Sequence, residues 1–209
     1  MIELYISALI TFFVVIDPPG CAPIYAGLTS GASPTHVRAM AVRAVIVATC
    51  ILLVFALFGE ALLHALGIGL DAFRIAGGIM LFVIAMDMVF ERRTQRREER
   101  AEKLKDTPEV EDVSIFPMAM PMIAGPGSIA SVMLMMSRTE GLSASLVVLG
   151  AMLTILALTL VALLAAGPIM RILGAKIEAV ITRLLGVLLA ALAAQFVING
   201  VKASFFAAA

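Results

Sequence analysis

Residues 16–23 read IDPPGCAP, with apolar sequence on either side: ELYISALITFFVV before them and IYAGL after. Pro18 and Pro19 cannot donate to a helical ladder, and their rings clash with the preceding turn. A helix running unbroken through this point is therefore not expected. Asp17 adds a carboxylate inside the same apolar context. The rest of the chain says what solvent surrounds this break. The 209 residues are 62% hydrophobic and 14% charged, with a mean hydropathy of +1.08. Soluble domains carry about 25% charged residues, so this surface must face lipid over much of its area. Irregular backbone at membrane depth survives only where protein or a water-filled cavity surrounds it.

Crossing a bilayer by helix takes about 20 apolar residues. Six stretches qualify: 2–28, interrupted at IDPPGCAP; 39–58; 68–90; 115–136, interrupted at AGPGS (124–128); 142–167; and 177–201. Between the third and fourth lies the one long polar stretch, Glu91–Ser114, read as a solvated helix followed by a turn at Pro108. It holds seven basic residues: Arg92, Arg93, Arg96, Arg97, Arg100, Lys103 and Lys105. Orientation follows Lys and Arg rather than net charge. This loop is therefore expected in the cytoplasm, with Arg38, Arg171 and Lys176, and both termini outside. The chain divides into a first three-span unit (1–90), a charged cytoplasmic loop (91–114) and a second three-span unit (115–209). The N-terminus has Glu3 where a signal peptide has basic residues, and no A-x-A site precedes Asp17, so it reads as a retained span.

The two interrupted spans invite a comparison of halves. A shift of 107 places Pro19-Gly20-Cys21 on Pro126-Gly127-Ser128 and Asp71 on Glu178; a shift of 108 places Gly78 on Gly186 and Asp87 on Gln195. Three spans per unit insert the second copy upside down. The expected fold is an all-α integral membrane protein of six transmembrane helices, arranged as two inverted three-helix repeats with helices 1 and 4 broken. Secondary transporters are built this way, with substrate near the midplane where the breaks meet.

Each break exposes chemistry. The half-helix starting near Gly20 has unpartnered N–H groups and a partial positive charge, which favour an anion. The half-helix ending near Val15 leaves carbonyls, which favour a cation. AGPGS supplies the same ends, and its glycines let a ligand approach the backbone. The expected substrate site is Asp17, Pro19, Gly20 and Cys21 with Gly125, Pro126, Gly127 and Ser128. Donors and acceptors so placed suit a small zwitterion such as an α-amino acid. Asp17 is either the N-cap of the second half-helix, with Pro18 at its first position, or a ligand or proton site; the roles are compatible. Ser128 either meets a carboxylate or back-bonds within its helix.

Four further charges need partners. Arg74 can pair with Asp71 at i,i+3. Arg43 and Asp87 either reach the cytoplasmic interface separately or form a gate together. Cys21 and Cys50 are not spaced as a metal site or disulfide framework, and Cys50 reads as a small apolar filler. His36 and His64 fall in expected loops on opposite sides. No HExxH, G-x-S-x-G, P-loop or CxxC is present, so neither an enzyme nor a bound metal or cofactor is expected. The basic loop lacks aromatic residues to stack bases, which excludes nucleic acid. Small residues at Gly77–Gly78 and Ala190–Ala194 can pack helices within one chain or between copies of a homo-oligomer.

The stretches DPPGCAPIY (17–25), GIGLDAFRIAGGIMLFVIAMDM (67–88), FPMAMPMIAGPGSIAS (116–131) and the segment from IEAVITRLLG to AAQFVINGV (177–201) resemble the MarC family over nearly the whole chain. The resemblance implies a six-span protein of the bacterial inner membrane. It also implies movement of small neutral amino acids such as glycine or alanine, with export among its relatives. An Asn follows DPxG in the family pattern; Cys21 stands there here, which puts substrate preference in question. Two other readings stand beside a transporter. A membrane assembly partner would work through the charged loop and lose function with it. A passive channel would show no counterflow.

Overall fold

The computed structural model describes residues 1–90 and 112–206, with side chains undescribed at 169–179 and 206. The expected charged helix of Glu91–Ser114 lies outside the described residues except for its last three. The described chain is helical throughout, without strands. Helices α1 (Ile2–Ile16) and α2 (Pro18–Leu28) are followed by α3 (Pro34–Ala65) and α4 (Leu70–Val89). A π-wound segment, Ser114–Ile123, leads into α5 (Pro126–Met136), α6 (Leu142–Leu164) and α7 (Ala166–Phe206).

Five stretches are long and apolar enough to cross a membrane: 2–28, 34–65, 70–89, 142–164 and 180–205. The π segment with α5, bent by 51°, makes a sixth. These fall on the six expected spans. Large apolar side chains such as Val54, Leu57, Phe58, Phe82, Leu184 and Leu188 face outward, as lipid contact allows and water does not. Inside, Phe12, Tyr25, Leu81, Met118, Met152 and Phe196 fill a common core.

Three local expectations change. His36 and His64 are not in loops; they occupy the first and last turns of α3. That helix has 32 residues, so roughly 40 Å separates them. The connection expected ahead of Ile177 is helical, because α7 runs unbroken for 41 residues. Pro168 lies in the first turn of α7, where a missing N–H costs nothing. The fourth span departs from a plain helix well before AGPGS. Phe116 and Met120 take extended backbone angles, each directly ahead of a proline, as proline sterics favour.

Packing places α4 antiparallel to α7 over most of its length. Asp71, Gly78 and Ala85, seven apart on α4, face Gly200, Ala193 and Gly186, seven apart on α7. A methyl on Gly78 would lie 2.9 Å from the Ala193 carbonyl oxygen and 2.8 Å from Val197 Cγ2. A methyl on Gly186 would lie 3.1 Å from the Ala85 carbonyl oxygen and 3.1 Å from Val89 Cγ2. Small residues thus bring the two backbones together, as dispersion-driven packing in lipid requires. Elsewhere α1 packs on α6 and the π segment on α3; α2 packs on α6 and α7, and α5 on α3 and α4.

Candidate functional site

At the first break, Asp17 adopts φ 59° and ψ 64°, the left-handed region, which Asp tolerates better than most residues. Its N–H closes α1 on the Phe13 carbonyl at 3.0 Å. Its Oδ1 accepts the Gly20 N–H at 3.1 Å, and only 1% of the residue is exposed. The buried carboxylate is therefore the N-cap of α2, seated at the positive end of that helix. A Cβ at position 20 would lie 2.2 Å from Asp17 Oδ2, so any side chain there must displace the Asp17 carboxylate from its cap. The Cys21 thiol donates to the Ile16 carbonyl at 3.5 Å.

At the second break, the Ser128 hydroxyl donates to the Ile123 carbonyl at 2.7 Å. Donor and acceptor are the residues 107 positions beyond Cys21 and Ile16. Both side chains thus satisfy a carbonyl that the break would otherwise leave unpaired. The bond runs across the break to the π segment, not back within α5 as the sequence had offered. The breaks differ in one respect: Ala124 stands where Asp17 would fall, and α5 has no side-chain cap. Gly125 sits against the π segment, where a Cβ would be 2.2 Å from the Pro121 carbonyl oxygen. Gly127 packs on Val15, Leu81 and Ile84 from α1 and α4.

In front of the α5 N-terminus lies a cavity of about 750 Å³. Its walls are Val15 of α1, Ile79, Met80, Val83, Ile84 and Asp87 of α4, Phe116, Pro121 and Met122 of the π segment, and Gly125–Ser128. Asp87 is the one ionisable group among these described wall residues, and both it and the Ser128 hydroxyl already have interactions.

The structure therefore gathers Gly125, Pro126, Gly127, Ser128 and Asp87. Asp17, Pro19, Gly20 and Cys21 are not among the described residues that line the cavity; next to the first break, Val15 is. Arg43 is not ion-paired with Asp87 in this structure. It is ion-paired with Asp112, at the foot of the π segment. The reason is positional: α3 packs on the π segment, whereas Asp87 faces the cavity from α4. Burial pushes the Asp112 carboxyl up, but hydrogen bonding from Ser114 and electrostatic interaction with Arg43 and His36 outweigh it and hold it below the ordinary range. Arg74 pairs with Asp71 at 2.9 Å, on the stretch of α4 ahead of the cavity wall that begins at Ile79. Cys50 is exposed and Cys21 buried. Among the described residues, no three His, Cys, Asp or Glu side chains converge as metal ligands do.

Sequence reasoning missed the α4 wall and the part of the π segment in the lining. Pro117 and Pro121, four apart within one span, were the available signal for the latter. A family model described as MarC family integral membrane protein matches residues 2–205. The chain belongs to that family. Its MarC relatives include a UPF0056 membrane protein of Methanocaldococcus jannaschii, 35% identical over 201 residues, covering 96% of this chain and 97% of that one. The UPF0056 membrane protein YvbG of Bacillus subtilis is 32% identical over 205 residues, covering 98% and 97%. The UPF0056 inner membrane protein YhgN of Escherichia coli is 32% identical over 197 residues, covering 94% and 95%. No solved structure matches this MarC chain.

Proposed function

We propose that this MarC protein is a secondary transporter for small neutral amino acids, working by alternating access between two inverted three-span repeats. The carrying observation is the contrast between the two breaks. At α2, the Asp17 carboxylate meets the Gly20 N–H. At α5, the equivalent Gly127 N–H has Ala124 in place of that carboxylate and a cavity in front. A substrate carboxylate docked there does for α5 what Asp17 does for α2. Asp87 faces the same space and meets the ammonium group, a role the sequence alone had offered to Asp17 or the freed carbonyls. Apolar walls then favour an uncharged side chain.

The repeat reading is supported by contacts that recur on exchange of halves. Cys21 to Ile16 matches Ser128 to Ile123. Gly78 against Ala193 and Val197 matches Gly186 against Ala85 and Val89. The element pairs match likewise: α1 on α6 with the π segment on α3, and α2 on α6 and α7 with α5 on α3 and α4. On this reading helices 1 and 4 are the broken spans, the units are 1–90 and 115–209, and the protein lies in the cytoplasmic membrane with both termini outside.

Counterflow in liposomes tests the function. Vesicles preloaded with unlabelled alanine should accumulate labelled glycine or alanine transiently, and Asp87→Asn should abolish this while the protein remains folded. Leakage without counterflow would identify a channel instead. No flux for any neutral amino acid would leave the transporter reading without support.

A further inference from the structure

The end of the bundle opposite the cavity carries two guanidinium groups that share little negative charge. Arg74, in the second turn of α4, donates from one terminal nitrogen to Asp71 Oδ1 at 2.9 Å and from the other to the Ser137 carbonyl at 3.3 Å. Ser137 adjoins Arg138, so the α5–α6 loop holds both cations close together. Arg138 in turn lies over the Phe196 ring of α7, 4.4 Å from its centroid. Cβ of Arg74 packs against α7 at Gly200, one turn beyond Phe196 on the same face. Three elements thus converge on one spot. Asp71 is the one carboxylate ion-paired there; among the described residues Arg138 has none. The Nε of Arg74 is buried and also lacks an acceptor among the described residues.

Like charges held together in a half-buried place are costly unless an anion joins them. The Arg138 guanidinium is held below its ordinary value, by burial first and by Arg74 second. The Arg138 guanidinium carbon lies over the Phe196 ring, and its N–H donors suit a planar or tetrahedral oxyanion, the geometry an arginine fork matches. The depth is suitable: α4 begins at Leu70, so Arg74 lies about 6 Å along it, near the boundary where lipid phosphates reside.

We propose that Arg74 and Arg138, backed by Phe196, form an oxyanion-binding site separate from the central cavity. Its ligand is either the phosphate of a lipid headgroup or a dissolved oxyanion. Neither transport nor the identity of any transported substrate is needed for it.

The test uses the purified full-length protein in an uncharged detergent, with the thermal unfolding midpoint as readout. Sodium phosphate is titrated against sodium chloride at matched ionic strength. In parallel, dihexanoyl phosphatidylglycerol is titrated against dihexanoylglycerol, which has the same chains and no phosphate. A saturable rise with the phospholipid alone supports a headgroup site; a rise with both supports a site open to dissolved oxyanions. In either case Arg138→Gln should weaken the effect about tenfold, the worth of a charge-assisted contact. Arg138→Lys, which keeps charge and fold, should weaken it less, and Lys202→Gln should leave it unchanged. No phosphate-specific rise in either titration overturns the proposal. So does a rise equally strong in Arg138→Gln and Arg74→Gln.

Discussion

Asp17 is an intramembrane carboxylate in the left-handed region, buried and already bonded to the backbone of the next helix. A charge so placed at mid-span costs at least ~2.5 kcal/mol before compensation. The Gly20 N–H and the α2 dipole provide that compensation locally. Asn can accept the same hydrogen bond and tolerates the same backbone angles; Ala does neither. Asp17→Asn should therefore keep a near-native unfolding midpoint, whereas Asp17→Ala loses about 1 kcal/mol or somewhat more. Amino-acid binding should survive in Asp17→Asn. If binding vanishes while the midpoint holds, Asp17 touches substrate and the capping role is not its only one. The cap was legible in the sequence because Asp followed by Pro at a helix start is a local signal. The alternative seat for an ammonium group was not. Asp87 comes near the α5 N-terminus only through the packing of α4 against the second break, and no local pattern encodes that.

At the scale of elements, the spans were legible because hydrophobic length is set by the bilayer, not by tertiary contacts. The pairing of α4 with α7 was partly legible in the small residues that each carries. The winding of the π segment was not: Pro117 and Pro121 mark a disturbance, but the apolar stretch 115–136 reads as a span whatever its backbone does. The continuity of α7 was hidden by Gly167-Pro168 and Gly174, which read as a loop when the partner helix is not known. The glycines separate packing from propensity. Gly78→Leu forces a side chain into Ala193 and Val197 and should destabilise by about 3 kcal/mol. Gly150, inside α6, has open space where a methyl would sit, with nothing within 4 Å, so Gly150→Ala should gain roughly 0.5–1 kcal/mol from helix propensity. Unfolding midpoints of the two variants, measured in one detergent, should move in opposite directions. A Gly78→Leu protein as stable as wild type would mean that α4 and α7 do not meet at that residue.

For the whole molecule, the cavity lies on one side only. Its α4 wall runs from Ile79 to Asp87, toward the end of α4 that the proposed orientation puts on the cytoplasmic side. The counterparts on exchange of halves are Val187 to Gln195 on α7, with Gly20 and Cys21 in place of Gly127 and Ser128. In this structure Cys21 is wholly buried and does not line the cavity, while Ser128, 3% exposed, lies in the cavity wall. If the repeats exchange roles during transport, the closed half must open toward the other side and expose Cys21. Two reporters decide this: native Cys21 in a Cys50→Ala protein, and Ser128→Cys in a protein that also carries Cys21→Ser and Cys50→Ala. An impermeant maleimide should label the position-128 thiol from the side on which α4 ends. It should label Cys21 only from the opposite side, and only in vesicles that sustain counterflow. Labelling of both thiols from one face would contradict an exchange of inverted halves. Active counterflow with Cys21 inert from both faces would show that the first break never opens, leaving the second as the sole pathway.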